Sequence, residues 1–382
     1  MTQPLTIHFP GKLVFGTGCL TDLAAEIGSL SPRKVLVVTI APLLGTLQGL
    51  VDALEAKQIA VELDTSIVQE PSFAHFETLM QTVAPFNPDV VVGIGGGSVL
   101  DMAKLVAAKL ENDQTLAEMV GIGRLNGRRK KLICVPATSG TGSEVSPNAI
   151  LVDDTDNQKK GIISPFLVPD IVYVDPLLTI SVPAAITAAT GIDALTHCLE
   201  AYTNKFAQPY IDMYAYEGMC LIAANIVQAV RNGADEAART QVAMGSLLGG
   251  FCLGPVNTAG VHALSYPLGS LFHLAHGLSN ALLLPYVMEF NIPSAVGRYA
   301  QVALALGCER GVDDAETAAN GVRRVKELIR DCGIPARLRD VNIPETVIPQ
   351  LADDALKISR LLKNNPREIT REAALAIYTA AY

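Results

Sequence analysis

Six histidines occur in 382 residues, and three of them (His262, His273 and His276) fall within one stretch of 15 residues, inside GVHALSYPLGSLFHLAHGLSNA. A fourth, His197, stands four residues after Asp193 in ATGIDALTHCLEAY. On a helix that spacing projects both side chains from one face, where they can share an ion. An aspartate with three imidazoles suits Fe(II) or Zn(II) and leaves a coordination position open for a substrate oxygen. A lone histidine in an apolar helix is usually a satisfied core residue, so the clustering carries this argument. Asp193 adds to it, because a carboxylate in an apolar helix is costly to bury unless it is paired or metal-bound.

A second kind of chemistry is written in two loops. Gly93-Ile94-Gly95-Gly96-Gly97-Ser98-Val99-Leu100-Asp101 follows an apolar strand and opens a helix. Glycines there let the backbone approach a ligand, and the free amides and positive dipole end of the helix suit a pyrophosphate. The spacing is not that of the usual dinucleotide fingerprint, and a Gly-rich turn is often only a tight turn. The loop Pro136-Ala137-Thr138-Ser139-Gly140-Thr141-Gly142-Ser143-Glu144 also follows a strand. Two such loops at successive strand ends mark the kind of crevice where open α/β sheets bind nucleotides.

These segments need elements to hold them. From residue 35 to 150, short β-branched runs (Val35 to Val38, Ile59 to Leu63, Val90 to Ile94, and the run from Leu132) alternate with amphipathic stretches after Pro42, after Ser72 and from Ser98 to about Leu110. That alternation predicts a parallel sheet covered by helices on both faces. Pro169 to Pro183 reads as a last strand and a linker. Beyond it, long Ala- and Leu-rich stretches with apolar residues at helical spacing predict an all-helical second half. The expected division is an α/β nucleotide-binding domain over residues 1–182 and an all-α, metal-binding domain over 183–382, with cofactor and metal meeting in the cleft.

Bulk composition narrows the partners. Hydrophobic residues make up 49% and charged residues 18%, the balance of a buried globular enzyme. The net charge of −9 is scattered, with no basic stripe for nucleic acid. The N-terminal MTQPLTIHFPGK lacks the features of a signal peptide, and no apolar run reaches the about 18 residues of a membrane span, so a cytoplasmic protein is expected. Seven dispersed cysteines without a C-x-x-C pair predict buried thiols, and Cys198, beside His197, is assigned to packing.

The motifs together resemble the iron-activated alcohol dehydrogenase family, which includes lactaldehyde reductase and propanediol dehydrogenase-type members. The resemblance covers essentially the whole chain: FPGKLVFGTG at Phe9 to Gly18, GIGGGSVLDMAK, PATSGTGSEVS, KKGIISP, ATGIDALTHCLEAY, HALSYPLG, HGLSNALLLPYVMEFN, and NNPRE at Asn364 to Glu368. It implies a dehydroquinate synthase-like fold, a divalent metal (Fe2+, or Zn2+), NAD or NADP, a small alcohol and aldehyde as substrates, and a homodimer or larger homo-oligomer. Carried over residue by residue, it assigns Asp193, His197, His262 and His276 to the metal. It assigns Gly95, Gly96, Gly97, Ser98 and Val99, with Asp101, to the cofactor pyrophosphate side. Thr138, Ser139, Thr141 and Gly142 line the rest of the cofactor, Lys160 reaches its ribose, and Asn148 lies near the substrate pocket. His273 and Tyr266 remain as candidate catalytic groups.

The chain departs from the family pattern at two positions. At the end of the VLVVT strand many relatives carry an aspartate that bonds the adenosine ribose and disfavours NADP; here Ile40 stands there, with Thr39 beside it as another hydrogen-bonding group. Tyr266 replaces a histidine found in some relatives, and a phenol is a poor proton shuttle near neutral pH. A rival reading is a dehydroquinate synthase-like lyase that uses NAD and metal for transient oxidation. It would require a basic cluster for a phosphorylated substrate, and the ligand segments contain little Lys or Arg.

Overall fold

The computed structural model describes residues 5–155 and 158–382; the first four residues of the N-terminal stretch read for a signal peptide lie outside them. The chain divides into two units: His8–Thr138 with Ser143–Thr179, and Ile180–Tyr382 with Ser139–Gly142 and the N-terminal residues up to Ile7.

The first unit is built on strands β1 (Lys12–Phe15), β2 (Lys34–Val38), β3 (Ala60–Asp64), β4 (Val90–Gly95), β5 (Gly121–Ile122), β6 (Lys131–Pro136), β7 (Asn148–Asp153), β8 (Gln158–Ile163) and β9 (Ile171–Val174). Its helices are α1 (Leu23–Ser29), α2 (Leu44–Glu55), α3 (Phe73–Phe86), α4 (Gly97–Lys109) and α5 (Leu116–Met119). Six strands form a parallel sheet in the order β1-β9-β6-β4-β2-β3. The β-branched runs of β2, β4 and β6 are buried on both sides, whereas β3, at the sheet edge, is only partly so. Leu36, Val38 and Val91 share one core with Phe76, Val83, Met102 and Val106, while Val35, Val37, Val90 and Val92 share another with Ile27, Leu47 and Leu54. Successive residues of a strand face opposite sides, so a sheet covered twice needs apolar residues at every position.

A smaller sheet, β5-β8-β7, was not expected from the sequence. Its β7–β8 hairpin is antiparallel and mostly half-buried, so its apolar positions are too few and too interrupted to stand out from a loop. β1 was missed for a related reason: it has four residues, and its partner β9 lies far along the chain.

The second unit is helical, as its apolar spacing predicted: α6 (Ala184–Thr203), α7 (Pro209–Arg231), α8 (Glu236–Cys252), α9 (Gly260–Phe272), α10 (His276–Asn291), α11 (Val296–Ala305), α12 (Asp314–Asp331), α13 (Ile348–Leu356), α14 (Ser359–Leu362) and α15 (Arg371–Ala381). Pro183 precedes α6 as its N-cap. From Gly191 to Thr203 every residue of α6 is buried, which makes this helix the axis of the unit. Among the described residues, no helix is long and apolar enough to cross a membrane.

All seven cysteines are free. Cys134, Cys198, Cys252 and Cys332 are buried as expected, whereas Cys19, Cys220 and Cys308 are only partly so. The Cys198 sulfur packs where a Cβ on Gly218 would be 2.5 Å away, which is the packing role assigned to it.

Candidate metal centre and nucleotide loops

Three helices of the second unit deliver the proposed ligands. Asp193 and His197 sit one turn apart on α6, His262 lies in the first turn of α9, and His276 is the first residue of α10. The Asp193 Oδ1 atom is 3.5 Å from His262 Nε2, 3.7 Å from His197 Nε2 and 3.7 Å from His276 Nε2. These separations are too long for hydrogen bonds. They fit donor atoms around one ion, because ligands at ~2.1 Å in a tetrahedral arrangement stand ~3.4 Å from one another. The ligand atoms of Asp193, His262 and His276 all lie within 4.8 Å of one another. The His197 and His262 rings stack with centroids 4.8 Å apart.

The electrostatics favour a cation. Asp193 is buried, which alone would raise its pKa, but the surrounding imidazoles outweigh burial and hold it below the usual carboxylate range. Burial pushes His197 down. It would do the same to His262, but the carboxylates of Glu200 and Asp193 overcome it and hold that ring up at about 9. Between Asp193 and His262 positive charge is therefore favoured, while burial keeps His197 in the neutral form that carries a lone pair.

Two residues the sequence reading missed sit in this cluster. Glu200 places Oε2 2.6 Å from His262 Nδ1. Asn280, fully buried on α10, donates through Nδ2 to Asp193 Oδ1 at 2.7 Å, and the same nitrogen is 3.1 Å from His262 Nε2 and 3.3 Å from His276 Nε2. An amide has two protons, so where both ring nitrogens carry lone pairs it cannot serve them and the Asp193 oxygen at once, and three lone pairs converging on this point suit a divalent ion. Among the described residues the buried His197 Nδ1 and Asn280 Oδ1 have no hydrogen-bond partner.

The two catalytic candidates part company. Tyr266, one turn after His262, has its ring centroid 5.9 Å from that of His276. His273 ends α9 in a left-handed conformation at φ 55°, with its side chain exposed. Among the described residues, no hydrogen bond or ion pair joins His273 to the four ligands.

In the first unit, β4 runs into α4 through Gly95-Gly96-Gly97. A Cβ on Gly95 would stand 2.7 Å from Val99, so Val99 closes the turn by packing onto it. Gly96 is the N-cap of α4, and no side chain caps it, which leaves the first amides of the helix, Ser98 among them, without a side-chain acceptor. A Cβ on Gly96 would be 3.5 Å from Thr138 Oγ1, so Gly96 and Thr138 lie side by side.

Asp101 faces inward: its carboxylate accepts from Ser143 Oγ at 2.5 Å and from the Ile150 amide at 2.9 Å. Lys104, fully buried one turn later, donates to the carbonyls of Ser146 and Asn148 at 2.9 and 2.8 Å. Among the described residues the buried Asn148 Oδ1 atom has no partner, an acceptor suited to a polar ligand. Lys160, on β8, has Nζ 4.0 Å from Asp153.

Ser139, Thr141 and Gly142 group with the helical unit. Gly142 has φ +61° and lies so close to Gly250 that a Cβ would be 2.3 Å from its Cα, a place only glycine fits. Ile40 follows β2 in extended backbone and packs against both cores. Thr39 is not the substitute the sequence offered, because its hydroxyl donates to the Ile94 carbonyl at 2.8 Å and the residue is fully buried.

Comparison with known proteins agrees along the chain. Residues 10–176 match the family described as iron-containing alcohol dehydrogenase, and residues 187–382 match the family described as Fe-containing alcohol dehydrogenase, C-terminal. The chain is 38% identical to long-chain-alcohol dehydrogenase 1 of Geobacillus thermodenitrificans, over 98% of this chain and 96% of that one. A crystal structure of 1,3-propanediol oxidoreductase superposes with a TM-score of 0.95 at 32% identity, covering 100% of both chains. Sulfoacetaldehyde reductase from Bifidobacterium kashiwanohense, solved with NAD+, superposes with a TM-score of 0.88 at 26% identity, covering 99% of each.

Proposed function

The chain belongs to the iron-containing alcohol dehydrogenase family, oxidoreductases acting on alcohols and aldehydes, and on that premise we propose that Asp193, His197, His262 and His276 hold a divalent cation for reversible hydride transfer between a nicotinamide cofactor and a small alcohol and aldehyde or ketone pair. Fe(II) is the first choice of ion and Zn(II) the second. The observation that carries the reading is one buried carboxylate oxygen, on Asp193, with the Nε2 atoms of three histidines from three helices 3.5 to 3.7 Å away, Asp193, His262 and His276 forming the mutually close set.

When bound, the ion supplies Lewis acidity toward a carbonyl oxygen, and the nicotinamide supplies the hydride. The chain's own groups bind and orient. Asp193 offsets the cation's charge, and burial of Asp193, His197 and His262 keeps water from their side of the site. Tyr266, next to the His276 ring, offers a phenol that hydrogen-bonds the substrate oxygen. Gly95 to Ser98 present the open start of α4 to the cofactor's phosphates, with Thr138 beside Gly96. The carbonyl of Asn148 is taken by Lys104, which leaves its side-chain oxygen for a ligand. Both NAD and NADP are admitted, since Ile40 supplies neither the acceptor for a ribose 2'-hydroxyl nor the charge that repels a 2'-phosphate.

The lyase alternative is not favoured, as both halves of the chain match the dehydrogenase family. The test is a screen of short aldehydes with NADH and NADPH, with Fe(II) or Zn(II) supplied, alongside His262→Ala and His276→Ala. Turnover should require metal, and both variants should lose turnover and bind the metal more weakly while remaining folded. Wild-type metal content in both variants would sink the ligand assignment.

A further inference from the structure

One carboxylate ties together two of the helices that carry the ligands. Glu200 lies one turn beyond His197 on α6 and is 3% exposed. Its Oε2 atom accepts from the Ala259 amide at 2.9 Å and stands 2.6 Å from His262 Nδ1, and its Oε1 accepts from the Val261 amide at 2.6 Å. No side chain of the N-cap residue, Ala259, caps α9. The charge that meets the dipole at the start of α9 therefore comes from α6. Three donors are what make a buried carboxylate tolerable.

The same contact sets the state of the His262 ring. A cation at Nε2 needs a neutral imidazole whose one remaining proton is on Nδ1, and that proton needs an acceptor. Glu200 Oε2 is that acceptor, while Nε2 is the atom facing Asp193. Because α6 also carries Asp193 and His197, the position of one carboxylate fixes His262 relative to two other ligands.

We propose that Glu200 is a positioning residue of the metal centre: it docks the start of α9 on α6 and holds the Nδ1 proton of His262, so that Nε2 presents its lone pair to the cation. This rests on the reading of the four residues as a metal site. Glu200 itself is no ligand, since both of its oxygens are turned to α9.

The experiment titrates the folded full-length chain with Zn(II) by calorimetry, for wild type, Glu200→Gln, His262→Ala and the double variant. Glutamine keeps the size but sets an amide N–H2 against backbone donors and Nδ1–H. Glu200→Gln should weaken Zn(II) binding about 10- to 100-fold, whereas in the His262→Ala background the same change should alter it by no more than about twofold. Imidazole nitrogen NMR of the Zn(II)-loaded wild type should show His262 protonated at Nδ1, and that signal should be lost or shifted in Glu200→Gln. Should the glutamine variant fail to fold, Glu200→Asp keeps the charge but withdraws it from the ring, and it should weaken binding in the same His262-dependent way.

Unchanged Zn(II) affinity in the Glu200 variants overturns the proposal. So does an equal loss in both backgrounds, which is the behaviour of a plain helix cap. A wild type that binds no Zn(II) or Fe(II) overturns the metal reading itself, and this proposal with it.

Discussion

Replacing Gly277 by alanine pits two effects of opposite sign against each other at the metal centre. Gly277 is the second residue of α10, directly after His276. Glycine to alanine within a helix ordinarily stabilises by roughly 0.5 to 1 kcal/mol. Here the added Cβ would stand 2.2 Å from the carbonyl oxygen of Ala189, 2.7 Å from its carbon and 3.2 Å from the Asp193 Cβ. Ordinary contact distances are ~3.5 Å, so about 1 Å of movement is needed. The obstacle is the backbone of α6, which cannot swing aside as a long side chain would. Overpacking of this kind costs about 1 to 3 kcal/mol, so the helix gain is outweighed and a net loss of about 1 to 2 kcal/mol is expected. For a unit of this size that lowers Tm by roughly 2 to 8 °C.

The more telling effect is on the metal, because the same movement separates His276 from Asp193, whereas ligand distances tolerate only about 0.2 Å. Thermal unfolding with and without saturating Zn(II) should show a smaller metal-induced rise in Tm for Gly277→Ala than for wild type. The control is Gly49→Ala in α2, where a Cβ meets nothing within 4 Å and the substitution should stabilise. A Gly277→Ala protein that melts at or above wild type and binds metal as tightly would refute the reasoning.

Three further outcomes can be checked. Gly96→Val, whose Cβ has only ordinary contact with Thr138, should keep Tm close to wild type but sharply raise the NAD(P)H dissociation constant; Gly95→Ala, facing Val99 at 2.7 Å, should lower Tm as well, and fluorescence titration beside melting curves separates the two. Ile40→Asp should move the ratio of kcat/KM toward NADH over NADPH by ~1 to 3 kcal/mol; an unmoved ratio would mean that position 40, the N-cap of the turn at Ala41–Leu43, does not select the cofactor. Burial holds Glu144 up at about 7 against an ordinary 4.5, despite opposing help from its own backbone amide and Lys104. The folded chain therefore holds that proton more tightly than the unfolded chain. Its stabilisation is complete below the unfolded pKa and is lost as pH rises through the folded one. Glu144→Gln should gain on wild type progressively from pH ~5 to ~8, by on the order of 3 kcal/mol in all, and parallel stability–pH curves would contradict it.

The parts of this molecule that could be read from its sequence are those set by short-range geometry. The strands β2, β4 and β6 announce themselves because both faces of the sheet are covered, which demands apolar residues throughout. The Asp193–His197 pair follows from helical spacing alone. That His262 and His276 join them depends on how α9 and α10 pack, and clustering and resemblance pointed to it only indirectly. Glu200 could have been found, because the argument that a charge in an apolar helix needs a reason applies to it as well as to Asp193. Asn280, one turn after His276, gave no such signal, since its role lies in the convergence of three acceptors. His273 was drawn in by proximity in sequence, but the left-handed residue that ends α9 turns its side chain outward. Asp101 looked like a cofactor contact from its place in the Gly-rich motif, yet its oxygens meet Ser143 and Ile150, partners no local pattern reveals.

The pairing of β1 with β9 has a consequence for synthesis. Lys12–Phe15 lies in register with Ile171–Val174, and the turn after β1 is pinned to Asp175 through the amides of Gly18 and Leu20. The strand made first thus has no partner until almost the whole unit has left the ribosome. Until then β6 also presents an open edge, since β9 is its neighbour on that side. At about 5 to 20 residues per second, a nascent chain carries this unpaired, strongly apolar edge of β6 for roughly 2 to 8 seconds. Nascent chains halted before residue 171 should therefore aggregate or recruit holding chaperones, and those that expose residue 175 should not. The edge that assembles last makes the α/β unit indivisible during translation, although four of the six strands of its large sheet are already complete by residue 95.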